Sequence, residues 1–520
     1  MSATVPTPSP EAGATSPPQG ADHPSADTLL AVRNGLKLFA SLLCTWGISI
    51  AVRLLLPRHL GPELFGELNF ADAFSATFFV IITLGVDTYI RTEVAVRPEH
   101  ASDFFGGLVA VRILGTGLLL AALAAVMHAT GRAPEVRRLV YCFAFVQLFL
   151  GMNETLSALL HARGSVDGLS VVNVVSKLSW GLGILAVLVA DGSLWWLGIA
   201  YLFPEVLKSG LLFALGRRNL GLTWRLDWRA TRVVLVASLP FYLTTAAHTA
   251  YGRLDTALLA FVATDIEVGW YGAASSLALL TMIITPLIGW VMQPLLAKAA
   301  ARSEDALTGM MRRSMELVLC LAIPVALAIG VGADVWVNVV FGKEFQPAAL
   351  ALSLLAPRFL LSYVSIFLSI CLMTVGRSWT VTFTSLAGLV VNPILNLLLI
   401  GPSRKFFGME AGGGGAGCAI ALVVTEALVL GVLLSAMGRR VFDRRSVTLV
   451  VKSLAAALVA IAVDLSLRSW GPARLLVSAA VYVVLVFISG ALPWREMVAF
   501  MRARTKPLPP VDGSPPPVLP

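Results

Sequence analysis

The stretch Leu60-Gly61-Pro62-Glu63-Leu64-Phe65-Gly66 separates two apolar runs, residues 35–56 and 69–90. Each run is long enough for a helix to cross hydrocarbon, which takes about 20 residues. Runs of the same kind fill the rest of the chain, at 105–127, 139–160, 169–190, 194–215, 233–262, 270–296, 317–341, 350–375, 381–400, 416–437, 449–467 and 475–492. The pattern predicts an all-α polytopic membrane protein with about 14 transmembrane helices.

Composition points the same way. The chain is 57% hydrophobic and 13% charged, with a mean hydropathy of +0.82, far from the balance of a soluble domain. Its formal net charge of +9 does not indicate nucleic acid, because most Lys and Arg lie in short connections where they orient a membrane protein. Five cysteines, Cys44, Cys142, Cys320, Cys371 and Cys418, all fall inside apolar runs and never at Cys-x-x-Cys spacing. Neither a disulfide framework nor a zinc site is indicated. The sequence contains no Gly-x-x-x-x-Gly-Lys-Ser/Thr loop and no His-Glu-x-x-His. The loops are also short for a glycosyltransferase or polysaccharide ligase. The chain therefore reads as a transporter and not an enzyme, with no bound cofactor or metal. Energy for transport would come from an ion gradient, the membrane potential or the substrate's own gradient.

Lys and Arg collect in alternate connections, as they do on the cytosolic side of membrane proteins. Arg217, Arg218, Arg225, Arg229 and Arg232 form one group, Lys298, Arg302, Arg312 and Arg313 a second, and Arg439, Arg440, Arg444 and Arg445 a third. The opposite connections 191–193 and 263–269 hold no basic residue, and 342–347 holds only Lys343. Arg132, Arg137, Arg138, Arg404 and Lys405 run against this trend. The balance places both termini in the cytosol. Residues 1–28 and the Pro-rich segment 505–520 read as disordered tails, and the first carries no signal-peptide pattern.

The loop at Gly61 has an echo in Val268-Gly269-Trp270-Tyr271-Gly272, 208 positions later. A second echo links His161-Ala162-Arg163-Gly164-Ser165 with Val375-Gly376-Arg377-Ser378, 213 positions apart by their serines. Six spans per repeat return the chain to its starting side, so the halves would be parallel repeats. The resulting division is an N-terminal six-helix lobe at 29–216, a basic linker at 217–232, a C-terminal lobe at 233–438 and two accessory helices within 446–492.

An ionised side chain at bilayer depth costs roughly 2.5–3.5 kcal/mol on insertion scales, so such residues normally face a protein-lined cavity or a partner. Arg112, Lys177 and Arg253, facing one cavity between the lobes, would make it cationic and suited to phosphate or pyrophosphate. Arg358 is a fourth candidate for that role. Glu205 and Lys208, three apart, share a helical face on which they can neutralise each other. Arg253 and Asp255 point to different faces and need separate partners. Arg53 and Asp87 lie near span ends, where snorkelling serves them. Asp255, Glu205, Lys208 and Glu426 are candidates for coupling or ion pairing.

The segment 60–66, Arg253-Leu254-Asp255, the run Val268-Gly269-Trp270-Tyr271-Gly272-Ala273-Ala274, Phe341-Gly342-Lys343-Glu344-Phe345, and the stretch from Gly376-Arg377 to Asn392 and Asn396 are spaced in a familiar order. Together they resemble the bacterial polysaccharide flippases of the multidrug, oligosaccharidyl-lipid and polysaccharide exporter superfamily. That resemblance implies two six-helix lobes around a central cavity, plus two accessory helices, working by alternating access in the bacterial cytoplasmic membrane. It also implies a polyprenyl-pyrophosphate-linked oligosaccharide as cargo, turned from the cytosolic to the outer leaflet for surface polysaccharide. Arg112, Lys177, Arg253 and Arg358 would then bind the diphosphate. Membrane lipid, and a polysaccharide polymerase with its export machinery, are the partners so implied, and the working unit would be a monomer. A cation-coupled drug or metabolite exporter and a peptidoglycan-precursor flippase of the same superfamily remain the alternatives. The first helix here carries only Lys37 and Arg53 as charges, which disfavours the drug exporter.

Overall fold

The computed structural model describes residues 26–82, 85–86, 90, 94, 101–162, 166–282, 285–437 and 440–491. Most of the expected N-terminal tail, all of 505–520, Asp87, Arg163, Gly164, Ser165 and Arg439 lie outside the described residues.

Every regular element among the described residues is helical. The first, α1 (Ala26–Phe79), holds the first expected span and the first half of the second. It is broken at Gly61, whose φ of 73° and ψ of 171° lie in a region open to glycine and strained for other residues. Pro62 then starts the second segment at a position where its missing N–H costs nothing. There follow α2 (Ala101–Ala129), α3 (Pro134–Ala162), α4 (Val166–Val189) and α5 (Leu194–Leu220). After the connection 221–227 come α6 (Trp228–Val262), α7 (Asp265–Thr281), α8 (Thr285–Ala300), α9 (Glu304–Val331) and the short α10 (Ala333–Val340). The chain continues through α11 (Ala348–Thr374), α12 (Ser378–Phe407), α13 (Gly413–Met437), α14 (Arg444–Ser466) and α15 (Ala473–Ile488).

Ten of the described helical stretches are long and apolar enough to cross a membrane, so the count of fourteen is not reached by that measure. The first two expected spans count as one stretch, span 270–296 is divided between α7 and α8, α15 is only 16 residues long, and α6 is not among the ten.

Helix starts follow their capping residues. Asp227 accepts from Arg229 N and Ala230 N ahead of α6, Ser303 accepts from Ala306 N ahead of α9, and Asp443 accepts from Ser446 N ahead of α14. Each side chain satisfies donors that the first helical turn cannot pair internally.

On one side α1 packs against α3 and α4, and α3 and α4 pack against α5. On its other side α1 meets α6 and α7, which join α11, α12 and α13. The pair α14 and α15 leans on α9. Large apolar side chains such as Leu118, Val189, Leu397 and Phe487 remain outward and exposed, as a hydrocarbon surrounding allows.

The contact between α1 and α7 is made by backbone against backbone. A Cβ on Gly66 would stand 1.8 Å from Asp265 O, and a Cβ on Gly269 would stand 1.8 Å from Pro62 O. The contact is reciprocal, since Gly66 to Gly269 and Pro62 to Asp265 are each 203 positions apart. The two segments singled out by their sequence echo therefore lie against each other, in a register five residues from the one their glycines suggest.

Candidate functional site

The helix ends at Gly61, Arg132, Asp265 and Glu344 come together at one end of the bundle, called here the Gly61 end. Arg132 Nη1 donates to Asp265 Oδ1 at 2.8 Å, Arg132 also donates to Ala260 O, and its guanidinium sits 4.7 Å above the Phe70 ring. Phe261 of α6 meets Phe70 and Phe74 of α1 edge-on, with centroids 5.8 and 5.7 Å apart. Trp270 Nε1 donates to Glu344 O at 2.9 Å. Polar and aromatic contacts thus close the space between α1, α6 and α7 at this end.

Two of the basic residues that run against the charge trend acquire partners here. Arg132 is held by Asp265, and Arg404 lies 3.0 Å from Glu267 Oε2 and donates to Val262 O. Glu267 is itself 1% exposed and accepts from Gly414 N at 3.1 Å. These arginines serve as structural clamps between elements.

Deeper along the same helices, Arg253 Nη1 of α6 lies 2.5 Å from Asp72 Oδ2 of α1, with side chains 42% and 30% exposed. About ten residues separate Asp72 from the Gly61 kink, so the pair sits roughly 15 Å inside that end. Tyr201 on α5 lies within electrostatic range of Asp72, Arg53 and Arg253. Lys177 on α4 lies within range of Glu205, Arg53 and Lys208, and its ammonium rests 3.6 Å from the centre of the Trp180 ring. Arg53 is thus common to the surroundings of Tyr201 and Lys177, and the charges in this region are the cations Arg53, Lys177, Lys208 and Arg253 and the acids Asp72 and Glu205. Glu205 is engaged by Asn153, whose Nδ2 donates to Oε2 at 2.8 Å while its Oδ1 accepts from Ser209. Lys208 is not a hydrogen-bond partner of Glu205 among the described contacts.

Arg112 lies elsewhere. It is fully buried in α2, donating from Nε to Ile82 O at 3.1 Å and from Nη1 to Thr155 Oγ1. Backbone and hydroxyl acceptors hold its charge inside the first helical group, so it does not share the open space around Arg253.

A third cluster sits within the second group of helices. Asp255 is 1% exposed and accepts from Asn396 Nδ2 at 2.8 Å and from Tyr271 OH at 3.1 Å. Asn396 also donates to Asn392 O and Oδ1. The Asn392 side chain is a further hydrogen-bonding neighbour of Asp255, and Asn396 Oδ1 is buried with no described hydrogen-bond partner. Arg358 is within electrostatic range of Asp255, and its Nε lies 3.9 Å from Glu426 Oε1. Arg253 and Asp255 thus look to separate partners on opposite sides of α6. The four residues expected in one cavity have different neighbours: Arg112 meets Ile82 O and Thr155, Lys177 rests on Trp180, Arg253 pairs with Asp72, and Arg358 lies beside Glu426.

Sequence reasoning passed over Asp72, Glu267, Asn153 and Arg53's proximity to Lys177. For Asp72 a signal was present, a lone carboxylate inside an apolar run. Among the described residues no group of three or more His, Cys, Asp or Glu is placed to hold a metal ion.

Long broken helices, a reciprocal crossing between two helical groups and buried ion clusters define a polytopic membrane protein with the fold of the multidrug, oligosaccharidyl-lipid and polysaccharide exporter superfamily. A lipid II flippase, MurJ, in an inward closed conformation superposes with a TM-score of 0.62 at 13% identity, covering 87% of this chain and 100% of that one. A multidrug resistance MATE family transporter of the MOP superfamily, in an inward-facing conformation, gives 0.62 at 13% identity over 76% of this chain and 94% of that one. Residues 55–350 match the polysaccharide biosynthesis protein family, and the chain belongs to that family. A probable low-salt glycan biosynthesis flippase, Agl15, of Haloferax volcanii is 25% identical over 151 residues, 29% of this chain. The match spans about a third of the length of that curated relative, 32%.

Proposed function

We propose that this protein is a flippase that carries polyprenyl-pyrophosphate-linked oligosaccharide from the cytosolic to the outer leaflet, by alternating access. The observation that carries this reading is the Arg253–Asp72 pair between α6 and α1. It is partly exposed and set among an excess of positive side chains. A diphosphate entering from the open side can displace the Asp72 carboxylate from Arg253, and Lys177 and Arg53 add further positive charge. Such a path is needed because an isolated buried charge costs tens of kcal/mol in the Born limit. The polyprenyl tail meanwhile stays in the bilayer.

The clamps at the Gly61 end support a state open toward the basic connections. That state would face the cytosol of a bacterial inner membrane, with both termini on the same side. Asp255 is proposed as the group that couples transport to a cation or proton gradient. It is a buried carboxylate that accepts from Asn396 and Tyr271, with Asn392 as a further side-chain partner and Arg358 within electrostatic range. Arg112 is assigned to holding α2 against α3, Glu426 to pairing with Arg358, and Lys208 to the cluster around Lys177. A monomer delivering repeat units to a polymerase and its export machinery completes the reading.

Reconstitution in liposomes with labelled lipid-linked oligosaccharide tests it. Head groups should become accessible from the far side, and Arg253→Ala and Lys177→Ala should each slow this by at least tenfold while still inserting. Unchanged rates in both variants, or transport of cationic dyes in place of the glycolipid, would remove the proposal.

A further inference from the structure

The start of α14 and the end of α15 enclose a pocket of about 300 Å³ that none of the clusters above uses. Arg444, Arg445, Thr448 and Lys452 line it on one side, and Leu449 and Ala491 contribute apolar surface. Three of its lining residues are cations, and none of those among the described residues is an acid. Lys452 Nζ donates to Ser489 O at 2.8 Å, which ties the two helices together across the pocket. An ammonium has three donors, and among the described residues one is used. Arg445 Nε lies 3.6 Å from Glu316 Oε1 and its side chain stays 56% exposed. Asp443 is turned to its capping bonds with Ser446 N and Oγ, at 2.8 and 3.0 Å.

The surroundings decide what kind of anion fits. Val447 and Val451 on α14, and Phe487 and Ile488 on α15, are all more than half exposed. They are apolar surface beside a basic pocket, at the end of helices long enough to reach the bilayer. A soluble anion makes no use of that surface, whereas acyl chains cover it. Basic pockets between helices at the cytoplasmic boundary are suited to anionic head groups, with attraction of about 1 kcal/mol per Lys or Arg.

We propose that this pocket binds the phosphodiester head group of an anionic phospholipid, in the leaflet at the basic end of the bundle. Arg444 and Lys452 contact the phosphate oxygens, and the acyl chains lie along Val447, Val451 and Phe487. The site is separate from the path around Arg253 and does not depend on the cargo.

Native mass spectrometry of the full-length protein in detergent, titrated with phosphatidylglycerol or phosphatidylcholine, provides the test. The unaltered protein should retain phosphatidylglycerol in preference, and Arg444→Gln with Lys452→Gln should weaken that retention by roughly tenfold. Arg444→Gln alone, at an exposed side chain with no described hydrogen bond, should give the same effect at smaller amplitude. Retention unchanged in both variants would overturn the proposal. So would displacement of the lipid by excess glycerol 1-phosphate, because the site would then be one for a free phosphate ester.

Discussion

Glu267 illustrates how a single buried acid organises this protein. It caps α7 together with Thr264, accepts from Gly414 N at the start of α13, and pairs with Arg404 at the end of α12. Removing it leaves Arg404 without its carboxylate and Gly414 N without its acceptor. Breaking a buried pair in this way costs about 3–5 kcal/mol, so Glu267→Ala should lower the thermal unfolding midpoint in detergent by many degrees. Glu344→Ala should shift it little, because there the main-chain oxygen accepts from Trp270. Arg132 and Arg404 looked like exceptions to the charge rule because a sequence shows which connection holds a cation and not which acid faces it. Asp265 and Glu267 stand 133 and 137 positions away, respectively, along the chain from those arginines.

Among elements, the crossing of α1 and α7 depends on the absence of side chains at Gly66 and Gly269. Gly269→Ala would push a Cβ into Pro62 O, where only backbone could give way. The helices should separate at the Gly61 end. A cysteine introduced near that end should then react faster with a membrane-impermeant thiol reagent. Gly252→Ala on α6, with nothing within 4 Å of the new Cβ, should leave the rate unchanged. The cap of α14 makes a prediction of a different kind. The backbone N–H of Ser446 holds the Asp443 carboxyl below the usual carboxylate range. Its contribution is therefore complete above the ordinary aspartate value of about 3.9 and is lost as the pH falls through the lowered one. Asp443→Ala should cost about 1 kcal/mol at neutral pH, measured by unfolding in detergent, and the difference from the parent should shrink in acid. The helical runs themselves were plain in the sequence, because spanning length and apolar content are local properties. The division at α7 and α8 was not, since it depends on how each chain segment packs.

For the whole molecule, the Arg132–Asp265 pair ties the Gly61 end together, while the Arg253–Asp72 pair deeper along the same helices stays partly exposed. Arg132 bridges the loop before α3 to the start of α7, so its release should free that end. Asp265→Arg should raise accessibility of the Gly61 end to the thiol reagent, and the exchange Arg132→Asp with Asp265→Arg should restore the parent rate. Independent effects of the two changes would show that the pair does not act as a latch. The sequence by itself determined that the chain is a helical membrane protein with charges it cannot leave in lipid, because hydrocarbon imposes length and polarity limits on each span separately. It also revealed the related segments at Gly61 and Gly269. Only the tertiary structure decided that Arg112 is locked within its own helical group, that Arg253 meets Asp72, and that the echoing segments touch in a reciprocal register. Those outcomes follow from which helix faces are brought within hydrogen-bonding distance, and residues far apart in the chain share no local signal of that proximity.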